Sequence, residues 1–191
     1  YNTNDCPVLN VNKETLNSEN TIRFISRISP DIVILYGASI VYRPLLEILP
    51  QYTINLHSGI VPRYKGHAST FWSFYFLEPN WAGGTFHFVT NKLDSGDIIH
   101  QLVPELEYGD TLHDVACKVT VMASKDILKI IDYYDKHNNI NGHPQSSGRV
   151  FVSKDFNPDL LNIIYEYYDD KIVDYYLDGK ITPRRVRLTA L

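Results

Sequence analysis

Cysteine is scarce in this 191-residue chain, and a surplus of positive charge is missing altogether. Cys6 and Cys117 stand alone without a CxxC spacing, which excludes a disulfide scaffold and a zinc knuckle. Eighteen Lys and Arg against 22 Asp and Glu leave a net charge of −4, which excludes a general nucleic-acid-binding surface. The one basic cluster, Arg184, Arg185 and Arg187, reads as a solvated tail. No apolar run reaches membrane length and nothing at the start resembles a signal peptide, so a cytoplasmic protein without a membrane partner is expected. HExxH spacing, GxGxxG and Walker loops are also missing. No metal site is therefore expected at His100, His113, His137 or His143, and no nucleotide held by those phosphate devices.

What is present is 44% hydrophobic residues, enough for a sizeable core in one main domain with a small appendage. Val8 to Val11 reads as a short strand. Ser18 caps a helix with Ile22, Ile25 and Ile28 on one face. The apolar run from Asp31 to Tyr36 predicts a strand covered on both faces. Pro44 starts a helix to Leu49, Tyr52 to Leu56 is the next strand, and this alternation predicts a parallel sheet with crossover helices. A helix over His67–Leu77 and a strand pair, Thr85–Thr90 and Ile98–Leu106, follow. The longest helix, roughly 111–136, is capped by Asp110 or Thr111 and carries an apolar stripe through Leu112, Val115, Ala116, Val119, Met122, Ala123 and Ile127. Cys117 is read as a buried member of that stripe. Beyond a polar loop, 138–148, come a strand at Val150–Val152 and an amphipathic helix opened by Asn157-Pro158.

The chemistry concentrates in TINLHSGIVPRYKG (53–66) and LDSGDII (93–99). Strand side chains alternate, so Asn55 and His57 share a face. An Asn amide donates to an oxygen that gains negative charge, a His moves a proton near neutral pH, and Asp94 accepts from the imidazole and orients it. With no serine or cysteine nucleophile in the set, this suits acyl transfer in which the substrate's own amine attacks a carbonyl. Gly96 supplies the tight turn that presents Asp94. His87, on a strand face with Thr85 and Val89, reads as a packed, hydrogen-bonded histidine.

Asn55-Leu56-His57-Ser58-Gly59-Ile60-Val61-Pro62-Arg63-Tyr64-Lys65-Gly66 resembles the first signature of the folate-dependent formyltransferases. Gly84-Thr85-Phe86-His87-Phe88-Val89 with Leu93-Asp94-Ser95-Gly96-Asp97-Ile98-Ile99 resembles their second. Pro30 to Gly37 is similar to the strand before their folate-binding loop. The resemblance covers roughly residues 5–130 and is strongest to the enzymes that formylate nucleotide-linked amino sugars. It implies an α/β, Rossmann-like, doubly wound and mostly parallel sheet with a short C-terminal helical extension. It also implies 10-formyltetrahydrofolate as co-substrate, without a metal.

By the same resemblance Asn55, His57 and Asp94 match the catalytic residues. Ala38, Ser39, Ile40, Val41, Thr90 and Leu93 fall in the loops that wall the folate, and Arg63, Tyr64, Lys65 and His67 fall on the acceptor side. Residues 1–136 are then the catalytic domain and 137–191 an extension. Its tyrosine-rich helix reads as a homodimer contact ahead of a nucleotide pocket. Members of the family begin with a further strand–helix unit of about fifty residues, so the chain is expected to lack that unit or to have replaced it. The alternatives are a phosphoribosylglycinamide formyltransferase, a hydrolase releasing formate with the same three residues, and a non-catalytic folate- or partner-binding domain.

Overall fold

The computed structural model describes residues 6–191. The strands of its main sheet are β1 (Ile32–Tyr36), β2 (Tyr52–His57), β4 (Gly84–Phe88) and β5 (Ile98–Leu102), in the spatial order β1-β2-β4-β5. A second, two-stranded sheet pairs β3 (Lys65–Gly66) with β6 (Val150–Phe151). The helices are α1 (Glu19–Ile28), α2 (Leu45–Ile48), α3 (Ser69–Tyr75), α4 (Leu112–His137) and α5 (Ile172–Leu177). This is an α/β chain with a mostly parallel sheet, as the alternation of elements predicts. The chain forms two compact units: the first ends at Ile54, inside β2, and the second begins at Asn55.

In the first unit Ser18 caps α1 as expected, its side chain accepting from the Thr21 N–H. Two expectations fail here. Residues 8–11 form no strand. β1 is not covered on both faces either: Ile34 and Tyr36 are 41% and 54% exposed. β1 stands at the end of the strand order, so an apolar run that suits an interior strand lies at the margin of the sheet. The loop after β1 is held by Asn17, whose Nδ2 donates to the Ile40 carbonyl at 3.0 Å and whose Oδ1 accepts the Tyr42 N–H at 2.8 Å.

The second unit carries the core. β4 and β5 pair antiparallel, Gly84 opposite Leu102 and Phe86 opposite His100, with an irregularity after Phe86. Thr111 caps α4 through a reciprocal capping box with Asp114. Asp110, the other candidate, instead accepts from the Glu107 N–H and pairs with Lys118. The buried face of α4 is Leu112, Val115, Val119, Ala123, Asp126 and Ile130. Cys117 is exposed, contrary to expectation: at 100° per residue it points away from a face centred on Val115 and Val119. It lines an open groove of about 510 Å³ with Glu107, Asp110, Lys118 and Met122, and none of the formyltransferase signature residues borders it.

Behind α3, Tyr64, Phe71, Trp72, Phe74 and Phe151 build an aromatic core with Ile164, Ile172 and Val173. The amphipathic helix expected after Asn157-Pro158 is broken into short pieces: a 3₁₀ turn (Pro158–Leu161), a π turn (Ile163–Tyr167) and α5. Asp169 and Asp170 take left-handed backbone (φ 51° each) and stop the helix, and the Asp170 carboxylate accepts the Leu112 N–H at the start of α4.

Candidate active site

Asn55, His57 and Asp94 converge. β2 turns Asn55 and His57 to one side by its two-residue alternation, and Asp94 arrives on the loop that joins β4 to β5. His57 Nδ1 lies 3.3 Å from Asp94 Oδ2, and Asn55 Nδ2 donates to Asp94 Oδ1 at 3.4 Å. The Gly66 N–H donates to Asp94 Oδ2 at 2.8 Å, which ties the two signature loops together.

His87 belongs to the same cluster. Its Nε2 is 3.3 Å from Asp94 Oδ1 and 3.2 Å from Asn55 Nδ2. It is packed and hydrogen-bonded, as the sequence implies, yet its partners are the signature residues themselves. The signal for this was the strand period: β4 neighbours β2 in the sheet, so a polar side chain on its inner face meets Asn55 and His57.

The hydrogen-bond partners assign the tautomers. His57 Nε2 sits 2.8 Å from the Tyr64 carbonyl, a group that only accepts, so Nε2 carries the proton. Ser69 Oγ, which donates to the Gly66 carbonyl, lies 3.1 Å from the same nitrogen and accepts from it too. His87 Nδ1 likewise donates to the Phe88 carbonyl at 2.8 Å. The neutral His57 ring therefore turns its basic nitrogen towards Asp94, while His87 faces the carboxylate through Nε2.

Burial pushes the His57 imidazole down and outweighs the upward pull of Asp94 and the Tyr64 carbonyl, so the ring titrates below its ordinary value of 6.5. Burial raises Asp94, but the hydrogen bond with His87, the His57 charge and the Gly66 N–H together hold it below 3.8. At neutral pH the cluster thus places an ionised carboxylate against a lone pair on His57 Nδ1. It is short of one proton, and a proton arriving there is held by ring and carboxylate together. The ring is thus held between the Tyr64 carbonyl at Nε2 and the Asp94 carboxylate at Nδ1.

Glycines make the approach possible. A Cβ on Gly96 would lie 1.8 Å from the Phe88 carbonyl oxygen, and one on Gly59 would lie 2.8 Å from His57 Nε2. Gly96 matters for this contact with β4, since its φ is not in the left-handed region. Asp94 itself takes φ 43°, a conformation costly for most side chains. We expect Gly96→Ala to destabilise the fold by about 1–3 kcal/mol, as forced overpacking does, read as a lower melting temperature. An unchanged melt would show that the β4 turn yields.

The remaining expected site residues fall into two groups. Arg63 pairs with Glu78 in a two-pronged contact at 2.6 and 2.5 Å, and the buried Tyr64 hydroxyl donates to the same carboxylate. Burial and Glu78 push the Tyr64 phenol up, so it stays protonated. These two side chains clamp the loop. Lys65 is buried, its Nζ donating to Ser95 Oγ at 2.8 Å beside Asp94, while His67 is exposed with its ring against Phe156. Thr90 caps its own turn through the Lys92 carbonyl, and Leu93 is an exposed apolar side chain. In the first unit Ala38 to Val41 form the loop held by Asn17, with Ile40 exposed.

The sequence model described as formyl transferase matches residues 3–131, and the chain belongs to that family. Methionyl-tRNA formyltransferase of Akkermansia muciniphila is 32% identical over 111 residues, covering 56% of this chain and 35% of that protein. The mitochondrial formyltetrahydrofolate deformylase 2 of Arabidopsis thaliana is 36% identical over 81 residues, covering 42% and 24%. The chain thus spans a quarter to about a third of the length of these two relatives. Among solved structures, the formyltransferase PseJ of Anoxybacillus kamchatkensis superposes with a TM-score of 0.62 at 28% identity, over 74% of each chain. That structure is a complex with UDP-4,6-dideoxy-4-formamido-L-AltNAc and tetrahydrofolate.

Proposed function

We propose that this chain transfers a formyl group from 10-formyltetrahydrofolate to the primary amine of a nucleotide-linked amino-deoxysugar. The observation that carries the reading is the convergence of one amide donor, Asn55, on a proton-deficient His57–Asp94 pair. Bound at this site, 10-formyltetrahydrofolate supplies the formyl carbon on N10. Asn55 Nδ2 gives up one of its contacts with Asp94 and His87 and donates that proton to the formyl oxygen as it gains negative charge. His57 Nδ1, backed by Asp94, takes the proton that the attacking amine must lose and returns one to the departing N10. A C–N bond to the sugar forms, the C–N10 bond breaks, and no proton is left over.

The residues fit such a donor. The site offers one hydrogen-bond donor for an oxyanion and a shared acceptor for a proton, and Leu93 is an exposed apolar side chain on the loop that carries Asp94. Lys65 and His67 are the residues we place nearest the acceptor. Residues 1–136 hold the transferase machinery, residues 137–191 extend it, and two copies associate through the tyrosine-rich segment in the cytoplasm. Likeness to PseJ, over three quarters of both chains, favours an amino sugar on a nucleotide as the acceptor. Incubation with 10-formyltetrahydrofolate and a panel of nucleotide-linked amino sugars, read by mass, is expected to give one acceptor that gains one formyl group. A panel without any gain, alongside formylated glycinamide ribonucleotide, would move the assignment to that substrate.

The deformylase likeness supports a second reading, hydrolysis, in which water replaces the amine at the same three residues. Formate release from 10-formyltetrahydrofolate alone, at a rate equal to turnover with the best amine, would favour it.

A further inference from the structure

The family match ends at residue 131, yet the segment 142–151 runs along both signature loops. His143 exchanges backbone hydrogen bonds with Ile98, at 2.7 and 2.8 Å. Gln145 Nε2 donates to the carbonyls of Asp94, at 3.1 Å, and Gly96, at 2.6 Å. Gly148 packs against the Pro62 carbonyl so closely that a Cβ would lie 1.7 Å from its oxygen. Val150 and Phe151 then pair parallel with Lys65 and Gly66, and the His67 N–H donates to the Phe151 carbonyl. Ten residues thus stitch the loop that carries Asp94 to the loop that follows His57.

Among the described residues, Gln145 is the one side chain of this strap that hydrogen-bonds the Asp94 turn, and its bonding is one-sided. Both of its partners are carbonyls, so the amide nitrogen must face them. Its Oε1 is buried and has no partner among the described residues, an unsatisfied acceptor retained at a cost. The two clasped carbonyls flank Ser95, in a turn where Asp94 holds left-handed backbone that few side chains adopt unaided.

We propose that Gln145 is a positioning residue, which fixes the Asp94 carboxylate against His57 by clasping the backbone on either side of Ser95. The proposal deepens the transferase reading and rests on it for its catalytic meaning, but the positioning itself is measurable without any substrate. Without the clasp the turn relaxes and the carboxylate draws away from the ring.

The test follows the His57 ring by NMR titration, assigned by the loss of its resonance in His57→Gln. The charged or titrating groups facing His57 are Asp94 from the turn, His87 from β4 and Lys65 from β3. Asp94 pulls the ring's titration up, so Gln145→Met, similar in length and unable to donate, should lower the midpoint by about half a pH unit or more. Turnover should fall about ten-fold or more with the KM for the folate donor little changed. A folded Gln145→Met whose His57 midpoint equals wild type overturns the proposal, whatever the activity. Should that variant lose its cooperative melt, Gln145→Ala is titrated instead. Loss of the melt in both makes Gln145 a residue of the fold alone and equally overturns it. A lowered midpoint in the variant, with a wild-type protein that transfers no formyl group, upholds the positioning and sinks the transferase reading.

Discussion

Asp94→Asn is expected to lower kcat/KM for formyl transfer by roughly a thousand-fold, within the range general acid–base help commands, while the protein still folds. Asparagine is nearly isosteric and tolerates the left-handed backbone found at Asp94, so the turn has no reason to collapse. Its Oδ1 can keep the Gly66 N–H, whereas no negative charge remains to share a proton with His57 Nδ1. The substitution also has a stability signature. Asp94 titrates below its ordinary value in the fold, so it contributes stability that is complete above pH 3.8 and drains away as pH falls through the folded value. Wild type should lose that increment on acidification and Asp94→Asn should not. A folded Asp94→Asn protein with near-native turnover would remove the carboxylate from the chemistry.

His57→Gln carries the second large effect, a fall of about a hundred- to ten-thousand-fold in kcat/KM. The pH profile makes the role specific. The ring works as a base, and burial holds its titration below 6.5, so wild-type kcat/KM should be flat through neutrality and fall on the acid side with a midpoint below 6.5. The same sign governs stability: the folded ring binds its proton less well than the unfolded one, so stability is lost as pH falls from 6.5 towards the folded value. The residual activity of His57→Gln should lack that acid limb. An acid limb centred above 6.5, or one that survives in the variant, would place the titrating group elsewhere.

The parts of this account legible in the sequence are those set by local rules. Ser18 and Thr111 announce helix starts because a capping side chain acts within three residues of itself. Asn55 and His57 share a face because strand geometry leaves no alternative. Asp94 stands where the family pattern puts it, 3.3 Å from His57 Nδ1.

What stayed hidden depends on partners distant in the chain. His87 looks like any inward strand histidine until β4 is set beside β2. Gln145 lies in a polar loop whose composition says nothing of carbonyls some fifty residues earlier. Cys117 sits two residues from both Val115 and Val119, about 200° around the helix from each, so an apolar residue type there does not put it on the buried stripe. The broken C-terminal helix follows from Asp169 and Asp170, whose left-handed backbone no periodicity count registers.

The central claim is that an amine, held where Asn55 and the His57–Asp94 pair converge, attacks the formyl carbon directly. It is tested by carrying out a single turnover with ¹³C-formyl-labelled 10-formyltetrahydrofolate and the best acceptor from the sugar panel, following the label. The label is expected in the sugar's formamide, mole for mole with tetrahydrofolate released, with little appearing as formate. Label recovered as formate in proportion to the tetrahydrofolate released, or label that never leaves the donor, would contradict it.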